Sequence, residues 1–321
     1  LPRGFDAIRV LPSQLNLSLV LKCGQTFRWD RLDLEPYSPE WRFVLFDRVV
    51  CLRQNEEYIF FRTILANGVA EDSDWTRLWI QDYFHLHVDT EAIFNAVVDP
   101  IFIAARQHFG GGIRILRQDP WETLISFICS QNNNIPRITS MVHKLCLHFS
   151  QPLTLGPEDA ELINPSNHPF PMPQSLAQPS VETDLRSLGF GYRAKFIQQT
   201  AALLCKKHED PQKWLLSLRE CTYESARDEL MQLPGVGPKV ADCVLLMSLD
   251  KHATVPIDTH MVSIAIKHYN FPAGNRMRGT TISPTTRGQM ASFFHTQWVH
   301  MLVGSMASFS LPICHSLSLR P

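Results

Sequence analysis

The chain has 321 residues, of which 45% are hydrophobic, and its formal net charge is −1. This length predicts about two domains with ample material for a core, and the absence of any run of about 18 apolar residues argues against a membrane-spanning helix. A near-neutral chain does not bind nucleic acid by overall charge alone. Any contact with DNA must therefore come from local patches, backbone amides and helix ends.

The first part of the chain predicts an antiparallel sheet. Between Phe5 and about Thr63, apolar runs at 43–46, 49–53 and 58–62 are separated by short polar turns. Helices are predicted to begin at Asp74 and Asp89, the second continuing through Ala105, and to pack on one face of this sheet. The three consecutive glycines at 110–112 form a flexible break, after which the pattern becomes helical.

The second part of the chain predicts helices only. Asp119, Pro120 and Glu122 supply an N-cap, an N1 proline and an N3 glutamate for the first of them. Prolines and polar residues dominate between 150 and 181, which predicts a long surface loop. Further helices are predicted at 182–188, 194–208, 212–219 and 223–233. The fold class is thus α+β, with an antiparallel β-sheet domain at 1–112, an all-α domain at 113–298 and a separate tail at 299–321.

The eight cysteines are scattered along the chain and form no C-x-x-C pair. Most lie in apolar segments, which predicts buried free thiols in a reducing compartment. The chain also lacks the clustered four-cysteine motif that would hold an iron–sulfur cluster. The sequence therefore does not predict an iron–sulfur site.

The segment at 233–242, Leu-Pro-Gly-Val-Gly-Pro-Lys-Val-Ala-Asp, predicts a helix-hairpin-helix. An apolar helix ends at Leu233, Gly235 and Gly237 form a turn too tight for residues with a Cβ, and Pro238 begins the next helix. The backbone N–H groups and the positive end of that helix suit a DNA phosphate. Seen alone, such a motif mostly indicates sequence-independent binding to duplex DNA.

Lys239 and Asp258 add a prediction of catalysis to this binding motif. Lys239 lies in the first turn of the predicted helix, and partial burial among apolar neighbours favours the neutral, nucleophilic amine. Asp258 precedes a helix predicted from Thr259, so its structural role is an N-cap that contributes about 1 kcal/mol. The same carboxylate, fixed by two amides, can face the positive charge that develops when a glycosidic bond breaks.

The segments at 233–243 and 255–260 resemble the helix-hairpin-helix DNA glycosylases, and specifically the 8-oxoguanine DNA glycosylases. Segments 24–29, 126–137 and 188–195 agree with this family in order and residue type, and the resemblance covers about Leu11 to Trp298. It implies excision of 8-oxoguanine opposite cytosine in double-stranded DNA, without a metal or cofactor. Lys239 would attack C1′, and the resulting Schiff base would permit β-elimination of the 3′ phosphate.

The resemblance also implies which residues recognise the damaged base. The main-chain carbonyl of Gly24 would accept a hydrogen bond from N7, which carries a hydrogen only when guanine is oxidised. Cys243 and Met247 lie one and two turns after Lys239 and would contact the extruded base. The alternatives are a hairpin turn at Gly24 and ordinary core packing for Cys243 and Met247.

The remaining implied contacts are made with the duplex, because a glycosylase must extrude the base and hold its orphaned partner. Asn132 would enter the vacated space and Tyr192 would wedge beside the partner base. Arg137 and Arg193 would donate to the orphaned cytosine, and His260 would contact a phosphate. The alternatives are a polar loop at 132–134, a helix start at 192–193 and a surface residue at 260.

The resemblance ends after Trp298. The family continues with Gly-Pro-Tyr-Ala-Gly-Trp and then brings a glutamine and a phenylalanine into the base pocket, whereas this chain reads Val-His-Met-Leu-Val-Gly from Val299. Codons for the latter, read one base out of phase, can encode the former. A frameshift, a sequencing error or an unspliced intron is therefore one hypothesis. With the tail as given, Met306 and Phe309 could supply apolar contact but not the paired hydrogen bonds of an amide.

Three functions follow from these observations. The leading one is a bifunctional 8-oxoguanine glycosylase and abasic-site lyase that acts as a monomer in the nucleus, with the mitochondrion as an alternative location. The second is a helix-hairpin-helix protein that binds DNA or damage but has impaired or no catalysis because of the altered tail. The third, an alkylbase glycosylase of the same superfamily, is disfavoured because such enzymes normally lack the lysine found at 239.

Overall fold

The computed structural model describes residues 4–34, 39–70, 74–156, 167–271 and 282–302. Within these ranges the predicted α+β fold is confirmed, because an antiparallel sheet near the amino terminus is followed by helices. The strands are β1 Asp6–Arg9, β2 Asp30–Leu32, β3 Glu40–Val44, β4 Arg48–Gln54 and β5 Tyr58–Leu65. Their order in the sheet is β1-β5-β4-β3-β2, and each neighbouring pair is antiparallel.

The helices of the described residues are α1 Leu17–Val20, α2 Trp75–Tyr83, α3 Thr90–Asn95, α4 Pro100–Phe109, α5 Pro120–Cys129, α6 Ile135–Phe149, α7 Pro173–Leu176, α8 Val181–Ser187, α9 Arg193–Lys207, α10 Pro211–Ser217, α11 Tyr223–Met231, α12 Pro238–Ser248, α13 Thr259–Tyr269 and α14 Pro284–Leu302. None of them combines the length and the apolar character needed to cross a membrane.

Three sequence predictions about these helices are wrong in detail. Helices α3 and α4 do not pack on the sheet as expected, because their apolar residues Phe94 and Phe102 lie in a separate cluster with α13 and α14. The helix predicted from Asp89 through Ala105 is two helices, because the Asp99 carboxylate caps a new one by accepting from the backbone N–H of Ile101 at 2.8 Å. Pro100 occupies its first turn, which suits a helix start and not a helix interior. The predicted loop at 150–181 contains the short helix α7, and residues 157–166 of it lie outside the described ranges.

The sheet is buried on both faces. Val50, Leu52 and Phe61 point into a core shared with α1 and α2, while Val49 and Cys51 point to the opposite face. This alternation follows from the period of two in a β-strand. The two edge strands, β1 and β2, have 4 and 3 residues respectively and a largely polar sequence, and for that reason apolar patterning did not predict them.

A second core lies among the helices and positions the site. All ten residues of α5 are buried, and α5 packs with α12 in one apolar cluster that includes Phe127, Cys243 and Met247. The predicted N-cap of α5 is confirmed, since the Asp119 carboxylate accepts from the Glu122 N–H at 2.8 Å. The face of α12 that carries Cys243 and Met247 is therefore fixed by dense packing and not by a mobile loop.

A buried ion pair joins the sheet to this helical core. Arg28 donates from Nε and Nη2 to the two carboxylate oxygens of Glu122 at 2.8 and 2.7 Å, and from Nη1 to the Val44 carbonyl at 2.8 Å. Their side chains are only 5% and 11% exposed. Because removal of one partner leaves the other charge buried and unpaired, loss of either costs about 3–5 kcal/mol.

The seven described cysteines are free, and Cys51, Cys129, Cys146 and Cys243 are buried. The predicted buried free thiols are thus confirmed for these positions, whereas Cys314 lies outside the described residues.

Candidate active site and DNA interface

The hairpin between α11 and α12 depends on one glycine. Gly235 has a φ of +78°, and a Cβ built on it would lie 2.6 Å from the Cβ and Cγ atoms of Phe196. Gly237 is the N-cap of α12, with a φ of −90° and a ψ of 176°, and a Cβ there meets nothing within 4 Å. The prediction that both positions exclude a Cβ is therefore wrong for Gly237. Gly235 alone, in the left-handed region, suffices to reverse the chain, whereas Gly237 has an extended backbone.

Lys239 lies in the first turn of α12 and is partly buried. Its Nζ sits 5.0 Å from the centre of the Phe127 ring on α5, a geometry in which the ring face attracts a cation. Phe127 in turn makes an edge contact at 6.0 Å with Phe27, three residues after Gly24. Two aromatic rings thus connect the lysine to the segment that the sequence assigned to base recognition.

Cys243 is affected electrostatically by both Lys239 and Asp258. It lies one turn after the lysine and is fully buried. Burial raises the pKa of its thiol to about 12, the charge of Lys239 opposes this rise, and the carboxylate of Asp258 adds to it. The amine and the carboxylate therefore both lie within electrostatic reach of the Cys243 thiol.

The structure fixes Asp258 from two sides. The predicted N-cap is confirmed, because its Oδ1 accepts from the backbone N–H groups of His260 and Met261, both at 3.0 Å. Arg287 of α14 donates from Nη1 to the carbonyl of Ile257, the residue before Asp258. The carboxylate thus has a set orientation at the start of α13. Sequence reasoning did not select Arg287, because its partner Ile257 lies 30 residues away in the chain.

The carbonyl and side chain of Gln131 form hydrogen bonds that connect three turns. Its carbonyl accepts from Tyr192 Oη and Arg193 Nε, both at 3.2 Å. Its side-chain Nε2 donates to the Gly235 carbonyl at 2.7 Å. The loop carrying Asn132, the turn carrying Tyr192 and the hairpin are therefore connected through one residue. We call this arrangement the Gln131 junction. Sequence reasoning missed it, although Gln131 precedes the predicted wedge Asn132.

Three predicted DNA contacts are exposed near the Gln131 junction. Asn132 has a φ of +46°, Tyr192 is 48% exposed, and Arg137 donates from Nη2 to the Gly189 carbonyl at 3.4 Å. His260 is also exposed, at the start of α13. These positions are open to a ligand, and their contacts with DNA stay predictions.

Arg193 is placed differently from this expectation. Arg193 is only 3% exposed. Besides its hydrogen bonds to Gln131, it donates from Nη2 to the Asn132 carbonyl at 3.1 Å. Its guanidinium also stacks 4.6 Å from the centre of the Tyr192 ring. The structure thus gives Arg193 the role of fixing the wedge loop, while its contact with a cytosine stays a prediction.

Gly24 lies between α1 and β2 with a φ of +86°, so the alternative of a hairpin turn between strands is wrong. Its carbonyl accepts no hydrogen bond from the described residues. The next residue, Gln25, is 1% exposed, and its carbonyl accepts from Gln118 Nε2 at 2.9 Å. Gln118 also donates its backbone N–H to the Met247 carbonyl at 2.8 Å. This chain of hydrogen bonds connects the Gly24 turn to the end of α12.

The side chains of Cys243 and Met247 are fully buried in the helical core. This burial favours the core-packing alternative for Met247, whereas Cys243 packs beside the lysine as well. Contact of either residue with an extruded base stays a prediction.

The clefts of about 420 and 490 Å³ formed by the described residues lie away from Lys239. The sequence assigned one wall of the base pocket to residues after Trp298. Helix α14 continues to Leu302, but the side chains from 297 onward and the whole of 303–321 lie outside the described part of the chain. The predicted missing wall, with Met306 and Phe309, falls on these residues.

The two halves of the chain match two known sequence families. Residues 125–279 match the HhH-GPD superfamily of base excision DNA repair proteins, and residues 7–124 match the amino-terminal domain of 8-oxoguanine DNA glycosylase. The boundary between these matches lies inside α5, the buried helix that faces Lys239. The domain limits proposed from the sequence stay predictions.

Individual relatives cover most of the chain. The N-glycosylase/DNA lyase of Saccharomyces cerevisiae is 39% identical over 278 residues, which are 84% of this chain and 72% of that protein. A structure of MBOgg1 in complex with a low-affinity DNA ligand is 30% identical with a TM-score of 0.76, covering 98% of this chain and 95% of that one. The Clostridium acetobutylicum 8-oxoguanine glycosylase/lyase, solved with double-stranded DNA containing cytosine opposite 8-oxoguanine, is 25% identical with a TM-score of 0.75 over 98% of both chains.

The chain belongs to the 8-oxoguanine DNA glycosylases of the helix-hairpin-helix superfamily. This confirms the predicted family and the enzyme class, a bifunctional DNA N-glycosylase and lyase. The alternative of a DNA-binding protein without catalysis is not favoured.

Proposed function

We propose that this chain excises 8-oxoguanine from duplex DNA by attack of Lys239 on the damaged nucleoside. The observation that carries the proposal is the position of Lys239 in the first turn of α12, directly after the hairpin, with Cys243 one turn later under the electrostatic influence of both Lys239 and Asp258. The Clostridium acetobutylicum relative is described with cytosine opposite 8-oxoguanine, which supports the same base pair as the substrate here. The nucleus, with the mitochondrion as an alternative, stays the proposed location, and the monomer the proposed oligomeric state.

The first chemical step replaces the base with the enzyme. Lys239 Nζ forms a bond to C1′ while the bond from C1′ to N9 breaks, and the base leaves with that electron pair and takes up a proton. Asp258 stabilises the positive charge that develops at C1′. Its two backbone hydrogen bonds hold the ionised carboxylate in place before the reaction, so little reorganisation is needed.

The second step cuts the strand. Opening of the sugar ring gives a protonated imine between Nζ and C1′, which makes the hydrogen at C2′ acidic. Loss of that proton expels the 3′ phosphate by β-elimination. The covalent imine also explains why borohydride should trap the protein on DNA, since it reduces the imine to a stable amine.

The duplex is held by backbone groups and wedged by side chains. The N–H groups of the Gly235–Gly237 turn and the positive end of α12 bind a phosphate, and His260 binds another. Asn132 and Tyr192 fill and flank the space left by the extruded base, and the exposed Arg137 donates to the orphaned cytosine. Arg193 also donates to this cytosine if it exchanges its loop carbonyls for the base.

The damaged base is distinguished from guanine by one acceptor. The Gly24 carbonyl accepts from N7–H of 8-oxoguanine, whereas guanine presents a lone pair to it. An unpaired acceptor in the closed site disfavours guanine by about 1–3 kcal/mol. The base then lies against Cys243 and, if the core opens at the end of α12, against Met247.

The decisive experiment compares Lys239→Gln with Lys213→Gln. Lys213 is an exposed lysine on α10, so the control removes the same charge away from the site. Wild type and the control should cleave a duplex with 8-oxoguanine opposite cytosine, leave an unmodified duplex intact, and be trapped by borohydride. Lys239→Gln should lose cleavage and trapping while keeping most of its duplex affinity. Retained trapping in Lys239→Gln would exclude Lys239 as the nucleophile.

A further inference from the structure

A cluster of potential metal ligands lies outside the proposed catalytic site. His85, Asp250 and His252 each offer one ligand atom, and these three atoms lie within 4.8 Å of one another. The two imidazole rings meet edge to face at 5.4 Å. All three residues line the cleft of about 420 Å³. His85 follows α2, while Asp250 and His252 follow α12, so the cluster joins two distant parts of the chain.

One atom of this cluster has no partner within the described structure. The Nδ1 of His252 is buried and makes no hydrogen bond to any described residue. A buried imidazole nitrogen without a partner is destabilising, because it has lost its water and gained nothing in exchange. A metal ion coordinated directly by Nδ1 of His252 would give this nitrogen the partner that it lacks.

We propose that His85, Asp250 and His252 form a binding site for a transition-metal ion of the Zn²⁺ type. Two imidazoles and one carboxylate are a known three-ligand set for such ions, with a fourth position left for water. At bond lengths of about 2.0–2.2 Å, tetrahedral ligands stand roughly 3.3–3.6 Å apart. The three ligand atoms, now within 4.8 Å of one another, therefore need to approach by no more than about 1.5 Å to reach this geometry.

The protonation states of the three residues suit a metal ion. Burial lowers the pKa of His85 to about 4, and it also lowers the pKa of His252. Both rings are therefore neutral at neutral pH, the form that binds metals. Burial opposes ionisation of Asp250, but hydrogen bonds from Arg117 outweigh it and hold the pKa of this carboxyl below its usual range.

Arg117 both supports and weakens the proposed site. It donates from Nε and Nη2 to the two oxygens of Asp250 at 2.9 and 2.7 Å, which orients the carboxylate and leaves further lone pairs for a metal. Its positive charge, with that of Arg114 in the same cleft, opposes the approach of a cation. We therefore expect weaker binding than at a site built of cysteine thiolates, and selectivity against Mg²⁺, which prefers oxygen ligands.

An ion bound at this cluster would link two parts of the fold. Asp250 and His252 lie in the short segment between α12, which carries Lys239, and Asp258. A bound ion would fix this segment to the end of α2, through His85, and so stabilise the folded chain. The inference does not depend on the proposed excision of 8-oxoguanine.

The test uses the full chain, freed of metal with a chelator and then titrated with Zn²⁺ or Mg²⁺. Metal content after gel filtration should reach one Zn²⁺ per chain, the unfolding temperature should rise with Zn²⁺, and Mg²⁺ should do neither. His85→Ala and His252→Ala should each weaken Zn²⁺ binding at least about tenfold. The control, His208→Ala, removes a histidine that stacks on Trp214 at 4.1 Å and should bind Zn²⁺ as the wild type does.

Two results would overturn the proposal. One is an unchanged Zn²⁺ content in the double variant of His85 and His252, provided that its metal-free unfolding temperature shows a folded protein. The other is a thiolate-to-metal charge-transfer band in the Co²⁺-loaded wild type, which would place the ion on cysteines. Excision of 8-oxoguanine by the metal-free protein would be unaffected in either case, so the two proposals fail independently.

Discussion

Replacing Gly235 with alanine tests how the hairpin is built. The φ of +78° at this position is in the left-handed region, which costs a residue with a Cβ about 1–2 kcal/mol. The new Cβ would also lie 2.6 Å from Phe196, and moving a packed ring out of the way costs about 1–3 kcal/mol more. We expect Gly235→Ala to lower the free energy of unfolding by about 2–5 kcal/mol.

Gly237→Ala is the matched control, two residues away in the same turn. Its φ of −90° suits alanine, and its Cβ would meet open space. Only the weaker N-cap preference of alanine remains, which costs at most about 1 kcal/mol. Equilibrium urea unfolding of both variants measures these differences, and affinity for an undamaged duplex shows whether the hairpin still binds a backbone.

A third variant isolates the contribution of the clash. Phe196→Ala removes the ring atoms but keeps the Cβ, which also lies 2.6 Å from the new methyl group. Gly235→Ala should therefore cost less in that background than in the wild type, and the coupling free energy of the double-mutant cycle measures the ring's share of the clash. Equal losses for Gly235→Ala and Gly237→Ala would refute the assignment of the turn to a single glycine, and a coupling of zero would refute the contribution of the Phe196 ring.

Three further predictions concern the buried and capping carboxyl groups. Glu122→Gln should lower the free energy of unfolding by about 3–5 kcal/mol, because it leaves the Arg28 guanidinium buried without a charged partner; a loss below about 1 kcal/mol in urea unfolding would contradict the structural role of the pair. Asp258→Asn keeps an N-cap side chain, so its free energy of unfolding should lie within about 0.5 kcal/mol of the wild-type value, while its rate of excision should fall sharply. An unchanged rate of excision would exclude a role for Asp258 in the reaction. Burial raises the pKa of Asp119 to about 6, so its contribution to stability is present at low pH and is lost as the pH rises towards 6. The stability of Asp119→Asn relative to the wild type should therefore grow between about pH 4 and 6 and stay constant above, and a difference independent of pH would exclude this titration.

The parts of the fold that the sequence predicted well are those set by neighbouring residues. The caps at Asp119 and Asp258 were predicted because a cap and its partner amides lie within three residues. The same kind of signal was overlooked at Asp99, where Pro100 begins α4, because apolar periodicity on both sides suggested one continuous helix. The short polar edge strands carry no such signal at all, and they form because β3 and β5 offer them backbone partners.

In the candidate site, too, the residues predicted from the sequence are those that lie close together in the chain. Lys239, Asp258 and the hairpin were found because motif residues cluster in the sequence. The partners that hold them were not, since Phe127, Gln131 and Arg287 act on residues far away in the chain. Arg193 shows the opposite error, because residue type alone does not reveal that its guanidinium is enclosed by loop carbonyls.

The Gln131 junction has a mechanical consequence for how a duplex would be examined. A tilt of the hairpin towards the phosphates pulls on the Gly235 carbonyl, and the pull reaches the Asn132 loop and Tyr192 through one amide and one carbonyl of the same residue. If the hairpin binds a phosphate and Asn132 and Tyr192 enter the base stack, as proposed, contact with the backbone and contact with the bases are coupled through this one residue.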